Sequence, residues 1–191
     1  MIGFDVNEIV GAVRLIGDDA PAREIDEMGE QHSAAFQAAP AASTTRAEEI
    51  DGLEFINRIK DGRTPPPGMA VLLGFDIAEA ERGRVVFAAT PTAAHYNPAG
   101  AVHGGFAATI LDTCMTCAVQ STLKAGLGCT TLDLHVHYTR GANDKTGLLR
   151  AEGKIVHAGR QFATAEGRLT DPQGRIIAHA TTSCLIFPLR P

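Results

Sequence analysis

Apolar positions along the chain change their spacing near residue 65, and the change divides the sequence into two textures. Before it the spacing is helical. Val6, Ile9, Val10 and Val13 recur at three and four residues and predict a short amphipathic helix. Residues 34–47, AAFQAAPAASTTRA, are Ala-rich and broken by Pro40, the composition of a flexible connection. A second helix is expected at about 46–60, where Ile50, Leu53, Phe55, Ile56 and Ile59 form its apolar stripe. Pro65, Pro66 and Pro67 then stop any helix. Residues 1–48 therefore read as a helical extension with its linker, and 49–191 as the main domain.

After the prolines, residues 69–90 predict a short helix (MAVLLG) followed by a strand ending in VVFAAT, and a tight loop spans His95–Gly100. Residues 105–123, GFAATILDTCMTCAVQSTL, are apolar nearly all round and free of proline, which describes a buried helix. Over 130–139 the period falls to two: Leu132, Leu134, Val136 and Tyr138 alternate with Asp133, His135 and His137. Further strands are expected at about 147–157, 160–170 and 176–187, the last two joined by a hairpin turn at Asp171-Pro172-Gln173-Gly174. One buried helix ahead of a run of antiparallel strands is an α+β domain.

Composition narrows the functional classes. With 191 residues and 45% hydrophobic content the chain supports one domain with a real core. No apolar run approaches the roughly 20 residues that span a bilayer. Asp5 and Glu8 interrupt the start without a preceding basic region, so no signal peptide is expected and a cytoplasmic address follows. A net charge of −5 without a Lys/Arg stripe argues against nucleic acid. Cys114 and Cys117 form a CxxC inside the helical run, while Cys129 and Cys184 stand apart. Without a second close Cys or His pair, small buried apolar residues are the better reading than a metal or redox site. His135, His137, His157 and His179 show no metal-binding spacing either.

Chemistry concentrates in HYNPAGAVHGGFAATILD, residues 95–112. Gly104 and Gly105 bare the backbone N–H groups at the start of a helix, where the dipole favours negative charge. Such amides can stabilise a thioester oxygen as it becomes tetrahedral, although glycines serve close packing equally well. Asp112 is a lone carboxylate among Phe, Ala, Ile, Leu, Met, Cys and Val, where an unpaired charge is expensive. Gly104 and Asp112 are eight positions apart, hence about 12 Å along one helix. Both must stand about 3 Å from one reacting carbonyl, so one helix cannot easily supply both. A two-fold dimer, with Asp112 of one chain facing Gly104 of the other, is the simplest solution.

This stretch resembles the signature of the PaaI-type hot-dog thioesterases of phenylacetate degradation, and the likeness runs from about Pro65 to Phe187. It takes in PPPGMAVLLGF, TTLDLHVHYTRGA and VHAGRQFATAEGRLTDPQGRIIAHATTSCLIF. The resemblance implies a hot-dog fold: a long central helix wrapped by a curved antiparallel sheet, paired into homodimers or dimer-of-dimers tetramers. It implies hydrolysis of acyl-CoA without a cofactor or metal, and without nucleic acid or membrane as partner. Asp112 would act as general base or nucleophile, and the Gly104 N–H would polarise the carbonyl. Asn97 and His103 would position carbonyl or water. The strand hydroxyl that assists is matched by Thr131, with Thr130 adjacent. Gly105, Arg140, Arg160 and Arg168 would bind substrate, the arginines through CoA phosphates. Thr139-Arg140-Gly141 departs from the aliphatic-Arg-Pro or Arg-Ala stretch usual there.

Two other readings compete. A hot-dog enoyl-CoA hydratase or dehydratase would need a His paired with an acid, a pattern the His-Gly-Gly here does not follow. A non-catalytic acyl-CoA binding module would use the same fold without turnover.

Overall fold

The computed structural model describes residues 49–189. The helix expected around Val6–Val13, the Ala-rich connection and the extension they form lie outside them. The described chain runs α1 (Gly52–Lys60), α2 (Gly68–Leu73), β1 (Phe75–Glu81), β2 (Arg84–Ala89), a 3-10 turn at Ala93–His95, α3 (Gly104–Gln120), β3 (Leu127–Tyr138), β4 (Leu149–Ala158), β5 (Phe162–Thr170) and β6 (Ile176–Pro188).

Local chemistry sets the short helices. Asp51 caps α1 by accepting from the Glu54 N–H at 3.0 Å, and Pro67 precedes α2. Gly74 ends α2 in the left-handed conformation that glycine adopts freely. Where one strand was expected before Thr90 there are two, antiparallel and joined by Arg82-Gly83. β2 is apolar without a break from Val85 to Ala89, and only Gly83, at φ 82°, marks the reversal.

The six strands form one antiparallel sheet in the order β1-β2-β4-β5-β6-β3. Asp171 shapes the β5–β6 hairpin: its carboxylate accepts from the Gln173 and Arg175 N–H groups and from Arg175 Nε at 2.6 Å. The sheet curls around α3, which touches all six strands. Bulges in β1, β3 and β4 add to this curvature.

Helix α3 buries Phe106, Ile110, Leu111, Cys114, Met115 and Val119 in the core. Each large aliphatic side chain among them contributes about 1.5–3 kcal/mol. Small residues on the sheet make room: Ala151 and Gly153 on β4, Ala165 and Gly167 on β5, Ala178 and Ala180 on β6 are buried beneath it. The fit is tight, since a Cβ on Gly153 would stand 2.3 Å from the Cys114 carbonyl oxygen. One long helix inside a curved antiparallel sheet is the hot-dog architecture expected from the resemblance.

The remaining side of α3 is half-buried. Thr109, Asp112, Thr113, Thr116 and Gln120 form a stripe along it, beside the edge strand β3.

Candidate active site

The loop before α3 is built by its own side chains. Asn97 Oδ1 accepts from the Ala99 and Ala101 N–H groups at 2.9 and 3.2 Å, and Gly100 takes φ 76° to complete the turn. The Val102 N–H donates to Ala142 O, tying the loop to the segment after β3. The carbonyl end of the Asn97 side chain is thus occupied by the fold, which leaves its amide end for any ligand.

His103 is the N-cap of α3. Its Nδ1 accepts from the Gly105 N–H at 2.8 Å, and its carbonyl oxygen accepts from the Phe106 N–H at 3.0 Å. An Nδ1 that accepts carries no hydrogen, so the neutral ring keeps its proton on Nε2. The Gly105 amide is therefore spent. Gly104 N–H donates to nothing among the described residues and is the amide left at the positive end of the helix.

Two turns along, Thr131 Oγ1 donates to Asp112 Oδ1 at 2.8 Å, and Thr116 Oγ1 lies 3.0 Å from Thr131 Oγ1. A hydroxyl has one proton, so with Thr131 donating to Asp112 it is Thr116 that donates to Thr131. Asp112 Oδ2 accepts no hydrogen bond among the described residues, and the carboxylate has no ion pair there. One oxygen is anchored and one is open, on the uncovered stripe of α3. Thr131 rather than Thr130 makes this contact; Thr130 is exposed on the other face of β3.

A bulge explains the choice. β3 gains Leu132 between the pairs Thr131–Cys184 and Asp133–Ser183. Leu127, Cys129 and Thr131 face α3 before it, and Leu134 and Val136 after it. The alternation of Leu132, Leu134, Val136 and Tyr138 is therefore not one face. Leu132 and Tyr138 are exposed. Tyr138 was missed by sequence reasoning as a functional candidate; its position next to Arg140 at the strand end was the available signal. Its hydroxyl donates to Gly104 O at 3.0 Å.

The cysteines surround this centre as packing. Cys114 and Cys184 are buried, Cys117 and Cys129 half-buried, and all four are free. Burial pushes the Cys117 and Cys129 thiols up to about 12, and Cys114 well above its ordinary value. They stay protonated and are poor nucleophiles. Among the described residues no group of three or more His, Cys, Asp and Glu is placed to hold a metal. His137 and His179 stack at 4.9 Å as a cross-strand pair. Burial lowers the pKa of His95, whose ring stacks on Phe106.

Two clefts open beside the α3 N-terminus. One, of about 410 Å³, is lined by Asn97, Gly104, Tyr138, Arg140, Leu169 and Ile177. The other, of about 380 Å³, is lined by Leu73, His95, His103, Gly105, Phe106 and Thr109. Arg160 sits in the β4–β5 turn, and Arg168 on the outer face of the sheet, so one protomer does not bring the three arginines together. They do share a property. Arg58, Arg63, Arg82, Arg84, Arg150 and Arg175 each pair with an acid, whereas Arg140, Arg160 and Arg168 have no acidic partner among the described residues.

Residues 99–178 match the model of the thioesterase superfamily. A candidate esterase of Halobacterium salinarum is 32% identical over 119 residues, which cover 60% of this chain and 77% of that protein. A phenylacetic acid degradation-related protein of Ralstonia eutropha superposes with a TM-score of 0.63 at 32% identity, over 69% of this chain and 98% of that one. A Streptococcus mutans protein solved with acetyl-CoA bound superposes at 0.56 and 25% identity, over 61% of this chain and 91% of its own.

Proposed function

The chain belongs to the thioesterase superfamily, among its hot-dog, phenylacetate-degradation-like members, and from that membership we propose that it hydrolyses acyl-CoA thioesters to the free acid and CoA. Thioester hydrolysis is the chemistry of the family. The acyl-CoA substrate and the residues that act on it are our reading.

One observation carries it: Asp112 holds one carboxylate oxygen on Thr131 and leaves the other open. As general base, Oδ2 takes a proton from water while the water oxygen bonds to the thioester carbon. The carbonyl electron pair moves onto oxygen, where a Gly104 N–H stabilises it. Collapse of the tetrahedral species breaks the C–S bond, and the departing thiolate takes the proton from Asp112. As nucleophile, Oδ2 itself bonds to the carbon and the C–S bond breaks to release CoA thiolate; water then opens the acyl anhydride to the free acid and the Asp112 carboxylate, its proton passing to the thiolate. Both routes use the same oxygen and amide. Asn97 and His103 position carbonyl and water, the latter through Nε2–H.

Those groups meet across a two-fold interface in this reading, Asp112 from one protomer and Gly104 from its partner, in a homodimer or a tetramer of two such dimers. The 12-residue strand β3 lies at the sheet edge beside the open stripe of α3, an arrangement suited to a two-fold partner. Arg140, Arg160 and Arg168, without acidic partners among the described residues, are the cations for the CoA phosphates, and Gly105 lines the entry. The Streptococcus mutans relative with acetyl-CoA supports this substrate class. A cytoplasmic location suits it; no helix among the described residues is long and apolar enough to cross a membrane. The hydratase alternative fits less well, because the His103 Nδ1 is already committed to Gly105.

The test is release of CoA thiol by wild type and Asp112→Ala, across phenylacetyl-CoA and short, medium and long acyl-CoAs. Turnover should collapse by at least about 100-fold in a folded mutant, the scale of general base catalysis. Binding without turnover in the wild type would instead leave an acyl-CoA binding module.

A further inference from the structure

Tyr138 has no part in the hydrolysis described above, yet its placement is specific. It ends β3 against the first turn of α3, its ring packed on Gly104. A Cβ on Gly104 would lie 3.1 to 3.2 Å from three atoms of the phenol. Its hydroxyl donates to Gly104 O at 3.0 Å.

Two consecutive peptide groups meet at Gly104. The carbonyl of the first, His103 O, accepts from the Phe106 N–H at 3.0 Å; the N–H of that same group is the open Gly104 amide. The second is held at both ends, its carbonyl by Tyr138 Oη and its N–H by His103 Nδ1. A peptide group is planar, so bonds at its two opposite edges fix its rotation. This matters because Gly104 and Gly105 lack the side-chain sterics that restrict other residues, and a glycine pair samples a broad range of backbone angles. The glycines bare the amide, and the clamp holds it still.

We propose that Tyr138 is a positioning residue for the carbonyl-binding amide: by holding the Gly104–Gly105 peptide, it aims the Gly104 N–H at the thioester oxygen. This rests on the reading of that N–H as the carbonyl donor. The hydroxyl is the operative group, since the ring alone makes no bond to the backbone. Tyr138 also walls the 410 Å³ cleft together with Asn97, Arg140 and Gly104 itself, so the residue whose amide it orients borders a space open to a ligand.

The experiment compares wild type with Tyr138→Phe, which keeps the ring and removes the hydroxyl, in two measurements. The first is steady-state hydrolysis of the acyl-CoA found active in the panel, with thermal unfolding alongside. The second is the infrared stretch of a 13C-labelled thioester carbonyl bound to Asp112→Asn and to Asp112→Asn/Tyr138→Phe. Loss of one hydrogen bond that orients the donor should lower kcat about tenfold, with KM and the unfolding midpoint unchanged. The bound carbonyl should move back toward its frequency in free substrate. Unchanged kcat and carbonyl frequency overturn the inference, as does a fall in kcat that accompanies lost stability and an unmoved carbonyl. A wild type that binds the thioester without cleaving it overturns the hydrolase reading alone, and the carbonyl shift, then measured without the Asp112 substitution, still decides the role of Tyr138. No bound carbonyl in any protein overturns both.

Discussion

Asp112 and Thr131 show how a single hydroxyl prepares a carboxylate for work. Thr131 occupies Oδ1 and is itself supplied with a proton by Thr116, so Asp112 is anchored without being neutralised by a cation. Thr131→Val keeps the β-branched shape and removes the bond. A hydrogen bond to a charged group contributes about 1.5–3 kcal/mol, so kcat should fall roughly 10- to 100-fold while the fold survives. Steady-state kinetics beside a circular dichroism melt checks this. At this scale the sequence was legible where a residue type contradicts its surroundings: a carboxylate in an apolar helix, two glycines at a helix start. Thr131 over Thr130 depends on one extra residue in β3 that alternation alone does not reveal.

Elements were easier to read than their connections. Helix α3 and strands β4, β5 and β6 fall within about three residues of their expected bounds, because burial on a helix and alternation on a strand are strong periodic signals. The β1–β2 hairpin escaped because its turn is two residues long, without proline, and Gly83 is its only local mark. What periodicity cannot express is the depth at which α3 sits, which is set by small residues on three strands. Gly153 is the tightest such point, since its added Cβ would press on the Cys114 carbonyl and the Met115 N–H, backbone that cannot yield. Gly153→Ala should cost about 3 kcal/mol or more, in the range of severe overpacking. Gly167→Ala meets the flexible Met115 side chain instead and should cost about 1 kcal/mol. Urea denaturation of the two variants reads the difference.

At the scale of the whole molecule the central question is how two groups about 12 Å apart along one helix serve one carbon. If the site is shared, two dead chains should rescue each other. Gly104→Pro removes the amide hydrogen at the first helical position, where proline is well tolerated, and the extended His103 (ψ 136°) suits a following proline. Its Cβ asks that the exposed Tyr138 yield by a few tenths of an ångström. Mixed with Asp112→Asn under conditions that exchange subunits, it should restore about a quarter of wild-type activity, because half of the dimers are mixed and one site of each is whole. A site within one chain restores nothing. The dimer was inferred from spacing on a helix; the curvature of the sheet and the edge position of β3, which depend on long-range pairing, were not accessible to the same argument.

The extra residue in β3 has a consequence for how this chain tolerates insertions and deletions. Leu132 has no partner on β6, so its removal would leave β3 and β6 matched one to one. Thr131, Leu134 and Val136 would keep their partners Cys184, Thr182 and Ala180, and with them the face they turn to α3. The bulge breaks the period of the sequence without breaking the face of the strand. A one-residue deletion there would leave the hydroxyl on Asp112 and give a more regular sheet.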